Sequence, residues 1–191
     1  MPRIVPIVEG EGDVAAAPLL IRRILAHQQI RGWVVDRPIK AGGIGAVKKK
    51  LERLIGLAEL RDGCQAILIL LDLDDGCPKE AAGELMESIG QCFNRHPVAV
   101  VFAHREYEAW FLASVEDIAG THGIPPETRF EGNPEKIRGA KEWLKHRFPK
   151  GLSYKETKHQ ALFSMKISID TAMKRSRSFR KLCTSIEEIT R

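Results

Sequence analysis

Asp72, Asp74 and Asp75 follow directly on an apolar run in A-I-L-I-L-L-D-L-D-D-G, Ala66 to Gly76. Side chains two apart on an extended segment point the same way, so Asp72 and Asp74 can converge while Asp75 faces elsewhere. Two carboxylates held together beside a dry sheet repel each other unless a proton or a cation intervenes. A divalent metal, Mg²⁺ or Mn²⁺, suits such hard oxygen ligands. The plainer alternative is that the aspartates start a turn or cap the next helix.

The run that carries them is rich in Ile and Leu and lies between Gly63 and Gly76-Cys77-Pro78, the pattern of a strand buried on both faces of a parallel sheet. Other segments read similarly. Arg3 to Val8 is a short strand that delivers Glu9, with Pro6 suggesting irregularity or an edge. Helical spacing of apolar residues over Val14 to Gln28 follows, with Asp13 as a plausible N-cap. Trp33 to Ile39 is a second strand and Ala46 to Leu60 a helix, which Lys48, Lys49 and Lys50 open. Cations there oppose the helix dipole and hint at a phosphate contact, a solvated charge run being the alternative. A helix from Lys79 to Phe93 leads to the apolar strand Val98 to Ala103, which runs out into His104-Arg105-Glu106.

Strands alternating with helices imply right-handed crossovers, hence an α/β fold with a mainly parallel four-stranded sheet and helices on both faces. Ligands of such sheets gather beyond the carboxyl ends of the strands, and Glu9, Asp13, Asp72, Asp74 and Glu106 all fall there. A strand order of 2-1-3-4 brings these five acids to one crevice. Taken singly, Asp13 could be only a cap and Glu106 only a first-turn helix residue.

With 191 residues, 43% of them hydrophobic and 29% charged, the chain can bury a full core. No apolar run approaches a membrane span and the start lacks a signal-peptide pattern, so a cytoplasmic protein is expected. Cys64, Cys77, Cys92 and Cys183 are scattered without a C-x-x-C pair, which indicates reduced thiols rather than a zinc site or a disulfide framework. Charge is uneven: residues 133–191 carry 15 Lys/Arg and 6 Asp/Glu, and the first 132 carry 15 and 19. An acidic first part and a basic tail suggest a metal-collecting core and an extension that faces a polyanion such as nucleic acid, the alternative being a solvated basic face with no partner. The core is placed at residues 1–118 and the basic, mainly helical extension at residues 119–191. Within the extension, Pro134 to Phe148 reads as an amphipathic helix with Trp143 and Leu144 inward, and Tyr154 to Arg191 as helical with breaks near Ile167 and Ser176-Arg177-Ser178, where Ser178 could cap the last helix.

Glu9 in V-E-G-E-G-D, followed by an apolar strand ending in D-L-D, resembles the Toprim signature over about residues 3 to 112. Asp13 and Glu106 stand where nucleases of the overcoming-lysogenization-defect (OLD) family add further acids. The whole chain, with E-Y-E-A-W-F-L and R-S-R-S-F-R-K-L, looks like small stand-alone bacterial Toprim-like proteins often encoded beside an ABC/OLD-type ATPase. The resemblance implies a Toprim-like, Rossmann-like three-layer α/β/α core, with Mg²⁺ or Mn²⁺ held by Glu9, Asp13, Asp72, Asp74 and Glu106, and hydrolysis of phosphodiesters in DNA or RNA. It also implies a downstream lysine opposite the metal, for which Lys155 and Lys158 are candidates; His104 and Arg105 are neighbours of the acids by sequence. Two other outcomes stay open: a non-catalytic module that binds nucleic acid or docks on a separate ATPase, and a ribonuclease that matures structured RNA.

Overall fold

The computed structural model describes residues 1–92 and 95–191. Its elements, in order, are β1 (Arg3–Val8), α1 (Glu11–His27), β2 (Val34–Val35), β3 (Ile39–Lys40), α2 (Ile44–Glu59), β4 (Cys64–Leu73), α3 (Pro78–Cys92), β5 (Val98–His104), α4 (Glu108–Leu112), α5 (Val115–Ile118), α6 (Ala140–Lys145), α7 (Glu156–Ser164), α8 (Ile169–Arg175) and α9 (Arg177–Ile189). Phe93, the expected end of the helix before β5, lies outside the described residues.

All strand pairs are parallel, in the order β2-β1-β4-β5 with β3 also on β1. This is the expected 2-1-3-4 order, and with helices on both faces it makes a Rossmann-like α/β/α fold. Alternation along the strands divides the core. Ile67, Ile69 and Leu71 of β4 meet Val5 and Ile7 of β1, Leu54 and Ile55 of α2 and Leu85 of α3. Ala66, Leu68 and Leu70 face the other way, toward Leu20 and Ile24 of α1 and Phe179 and Leu182 of α9. A strand buried on both faces has no polar position to offer, which is why β4 is apolar from Ala66 to Leu71.

Two expectations about the sheet are corrected. Trp33 to Ile39 is not one strand but the two short pieces β2 and β3. Pro6 lies on an interior strand, so of the irregularity or edge that it suggested the irregularity is found and the edge is not. One cause explains both. The carbonyls of Ile4 and Val8 accept from the Asp36 and Ala41 amides, each at 2.9 Å, so even-numbered residues of β1 direct their polar groups toward β2 and β3. Pro6 belongs to that set and has no N–H, and Pro38 opposite it has none either, so the chain leaves the sheet between β2 and β3.

The C-terminal part packs on the rest of the chain. Phe163, Phe179, Leu182 and Ile186 are buried in the same cluster as α1 and the sheet, so α7 and α9 complete the layer on the α1 side. The expected helix from Pro134 to Phe148 is reduced to α6, because Gly139 at φ 76° sits in the left-handed region immediately before it. Leu144 is buried, and Trp143 packs edge-on to Phe130 with Arg147 over its ring. The expected breaks after Tyr154 are found, but Ser176 caps α9 in place of Ser178: its Oγ accepts from the Phe179 amide at 3.0 Å. Ser178 is turned inward, where its Oγ accepts from Trp110 Nε1 at 2.9 Å and from the His104 amide at 3.3 Å. No described helix is long and apolar enough to cross a membrane.

Candidate functional site

Glu9 leaves β1 and Asp72 leaves the adjacent β4, and the two meet directly: the Asp72 amide donates to Glu9 Oε2 at 3.1 Å. The other carboxylate oxygen of Glu9 lies against Gly43, the residue before α2, where an added Cβ would sit 3.3 Å from it. Gly43 is the N-cap of α2, so this carboxylate stands at a helix N-terminus, which favours negative charge.

Asp13 is the third residue of α1, not its N-cap; the helix begins earlier, after Gly10. Because Gly10 has no side chain with which to cap, Asp13 reaches back and its Oδ2 accepts from the Gly10 amide at 2.8 Å. Glu106 is held in the same manner, its Oε2 accepting from the Lys141 amide at the start of α6 at 3.1 Å. Glu9, Asp13 and Glu106 thus each have one oxygen fixed by a main-chain N–H. Among the described residues no hydrogen bond reaches the second oxygen of any of them.

The electrostatics mark these acids as one group. Burial pushes the Asp72 carboxyl well above its ordinary range, and negative charge on Glu108, Asp13, Glu9 and Glu106 pushes it further. Burial also raises Asp13 to about 6, with Glu9 adding to the effect against the Gly10 hydrogen bond. Glu9 is raised by burial and by Asp74, against the hydrogen bond from Asp72. Among the described residues none of Glu9, Asp13, Asp72, Asp74, Glu106 and Glu108 has an ion-pair partner. Acids next to them do: Glu11 with Lys40, Asp75 with Arg138 and Arg105, and Glu156 with Lys141. Asp75 therefore faces elsewhere, as its place in the sequence implies, and its cations hold its carboxyl below the usual range.

Glu108 is a member that sequence reasoning missed. It is only 2% exposed, and its Oε1 accepts from Tyr154 Oη at 2.8 Å and Gln160 Nε2 at 3.1 Å. Burial raises its carboxyl too. The E-Y-E spacing offers no local sign that the second glutamate turns inward; only the packing of Tyr154 and α7 supplies the reason. Gln160 also presents its Oε1 to the Cβ position that Gly12 leaves empty, and that oxygen is buried with no partner among the described residues.

Among the described residues no three His, Cys, Asp or Glu side chains converge closely enough to hold one metal ion. The carboxylates surround Asp72 without closing on a point. In donor chemistry the set fits a hard cation, being all oxygen and, among the described residues, without an ion pair to any basic side chain.

The basic candidates are distributed differently from expectation. Lys155 and Lys158 are exposed, and among the described residues neither pairs with an acid of the crevice. Lys158 projects from the side of α7 opposite Glu156 and Gln160, which face α1. Lys141 is the lysine tied to the site: its amide holds Glu106 and its Nζ pairs with Glu156. Arg105 adopts φ 74°, strained for a residue with a Cβ, and donates from Nη1 to the Asp74 carbonyl at 3.0 Å, fixing the turn after β4. His104 is half-buried beside it.

The fold and these acids define a Rossmann-like α/β/α protein with a group of carboxylates at the carboxyl ends of its strands. Residues 8–187 match the profile described as Domain of unknown function (DUF4276), and the chain belongs to that family. No curated protein and no solved structure matches it.

Proposed function

We propose that this protein is a divalent-metal-dependent phosphodiesterase that cleaves DNA or RNA, as the Toprim-like pattern of its acids suggests. The observation that carries the reading is the set of carboxylates around Asp72, none of them ion-paired among the described residues while the acids around them are. Acidic groups packed this way raise one another's pKa and call for a cation. Glu9, Asp72 and Asp74 would hold Mg²⁺ or Mn²⁺, with Asp13 and Glu106 completing the site. The metal, when bound, supplies Lewis-acid polarisation of the phosphoryl oxygen and a more acidic water. The chain's own part is to fix the carboxylates through the amides of Asp72, Gly10 and Lys141, and to offer positive charge from the Lys141 ammonium, which swings from Glu156 to the substrate phosphate. Exposed Lys155, Lys158, Lys166 and Lys174, unpaired among the described residues, supply a surface for the nucleic-acid backbone. A separate ABC/OLD-type ATPase is the proposed partner, and the cytoplasm the proposed compartment.

The test is cleavage of single- and double-stranded DNA and of structured RNA with Mg²⁺ or Mn²⁺, with Asp72→Ala plus Asp74→Ala as control. Cleavage that needs the metal and disappears in the double variant supports the proposal, and preference for structured RNA selects an RNA-maturation role. Absence of cleavage with every metal overturns it.

A second reading rests on the carboxylates' failure to close on one point: a module that binds nucleic acid or an ATPase without catalysis. Calorimetric titration with Mn²⁺ separates the two, since the enzyme has a site lost in Asp72→Ala and the inert module has none.

A further inference from the structure

Strand β5 is the last in the sheet and, among the described residues, pairs only with β4. Its backbone directions follow from its two ends. The Pro97 carbonyl accepts from the Ile67 amide at 3.0 Å and the Arg105 amide donates to the Leu73 carbonyl at 2.9 Å, so odd-numbered residues turn their polar groups to β4. With a period of two, the N–H and C=O groups of Val98, Val100 and Phe102 point away from the sheet. The next amide in that row, of His104, is already engaged by Ser178 Oγ at 3.3 Å. Among the described residues no hydrogen bond is made by the outward groups of the other three.

This edge is not flush with the surface. It forms the floor of a groove of about 1080 Å³, walled by Lys79, Ala82 and Met86 of α3 and by Arg177, Lys181 and Ser185 of α9. Val100 and Phe102 are only 4% and 2% exposed, so their outward amides and carbonyls lie deep in it, where an unpaired polar group is costly. Ser185 is 1% exposed, lines the same groove, and its Oγ is without a partner among the described residues.

We infer that the groove takes an extended acidic segment of a partner protein, which adds to β5 as a further strand. Three features select this occupant. A row of main-chain donors and acceptors is satisfied only by another extended backbone, with specificity left to the side-chain pockets. The helical walls exclude a second copy of this chain joined edge to edge, because the copy's β5 is recessed between the same walls. The charges at the His104 end favour an acid: Lys79 and Arg177 are exposed and unpaired among the described residues, whereas Lys181 is paired with Glu188 at 3.2 Å and Glu135 is bonded to Ser176 and Ser178.

The experiment is selection of octapeptides from a phage-displayed library on the intact protein, followed by fluorescence anisotropy with the enriched peptides and amide exchange on their complexes. Val100→Pro is the diagnostic variant. It removes one outward N–H and no bond to β4, an edge position where proline is tolerated, and circular dichroism checks that it folds. Lys79→Glu with Arg177→Glu, both on the surface, is the second variant. Enriched acidic peptides that protect the Val98, Val100 and Phe102 amides and bind at least tenfold more weakly to each folded variant support the inference. It is overturned if no peptide is enriched, if the charge-reversed protein binds them equally well, or if those amides stay unprotected. Dimers abolished by Val100→Pro, or protection of the same amides by a single-stranded oligonucleotide in place of peptide, would assign the groove to a second copy or to nucleic acid and overturn it as well.

Discussion

The Asp72 amide donates to Glu9 Oε2 at 3.1 Å, joining residues 63 positions apart at the ends of neighbouring strands. The bond does more than bring two acids together. It uses one Glu9 oxygen to hold the backbone that carries Asp72, so the orientation of one carboxylate is set by the other's main chain. The remaining Glu9 oxygen lies beside Gly43, and a side chain at position 43 would crowd it.

Asp72→Asn separates charge from shape. In chelator the variant is expected to be at least as stable as wild type, by roughly 1 kcal/mol, because a buried like-charge contact is relieved. Mn²⁺ at a hundred times its Kd should raise wild-type stability by about 2.7 kcal/mol and leave the variant unmoved. Thermal denaturation with and without Mn²⁺ measures both, and a wild-type midpoint indifferent to the ion would remove the metal from the account.

Lys141 is expected to matter more for cleavage than either exposed lysine. A group that stabilises transition-state charge is typically worth on the order of 100-fold in rate, so Lys141→Ala should reduce kcat on that scale. Lys155→Ala and Lys158→Ala should act mainly on KM, through contact with the backbone phosphates. Equal kcat losses in all three variants would leave Lys141 no special place.

β4 and β5 were legible because residues 66–71 and 99–103 are buried on both faces and must be apolar, and the parity of β4 puts Asp72 on the α1 side. Glu9, Asp13 and Glu106 could be located because strand ends in this topology share one rim. Other features depend on contacts distant in sequence. Nothing near Glu108 shows that Tyr154 and Gln160 will enclose it, and nothing near Lys141 distinguishes it from the other lysines. The helix expected from Pro134 is interrupted by Gly139, and Glu135 within that stretch serves α9, more than forty residues on. Ser178 looked like a cap because it stands at a break, but Ser176 stands there too, and Trp110 determined which of them turned inward.

Glu135 gives stability a defined pH dependence. Its Oε1 accepts from the Ser178 amide at 2.6 Å and from Ser176 Oγ at 2.7 Å, and these bonds, against the opposing effect of burial, hold its carboxyl below the usual range. A depressed folded-state pKa means that the stabilisation is complete above the unfolded value of about 4.3 and is lost as pH falls through the lower folded value. Glu135→Gln should therefore cost about 1.5–3 kcal/mol at pH 7, with the difference from wild type shrinking below pH 4. Urea denaturation across that range measures it; a difference constant down to pH 3 would mean the charge contributes nothing.

Gly12 tests how the C-terminal part is joined to the rim. It lies in the first turn of α1, between Glu11 and Asp13, and a Cβ added there would collide with Gln160 Oε1 and come within 3.1 Å of Glu156 Cβ. Gly12→Ala is thus unlike the usual helix substitution, which gains up to about 1 kcal/mol. Overpacking of this kind costs about 1–3 kcal/mol. Because the clash is chiefly with one side chain, Gln160→Ala should recover much of the loss in the double variant, although alone it weakens the fold by depriving Glu108 of a donor. Residues in contact are expected to be non-additive by 0.5 kcal/mol or more, and chemical denaturation of the four proteins measures the coupling. Strict additivity would mean that α7 does not rest on the start of α1, and the connection between Gln160, Glu108 and the carboxylates of the crevice would fail with it.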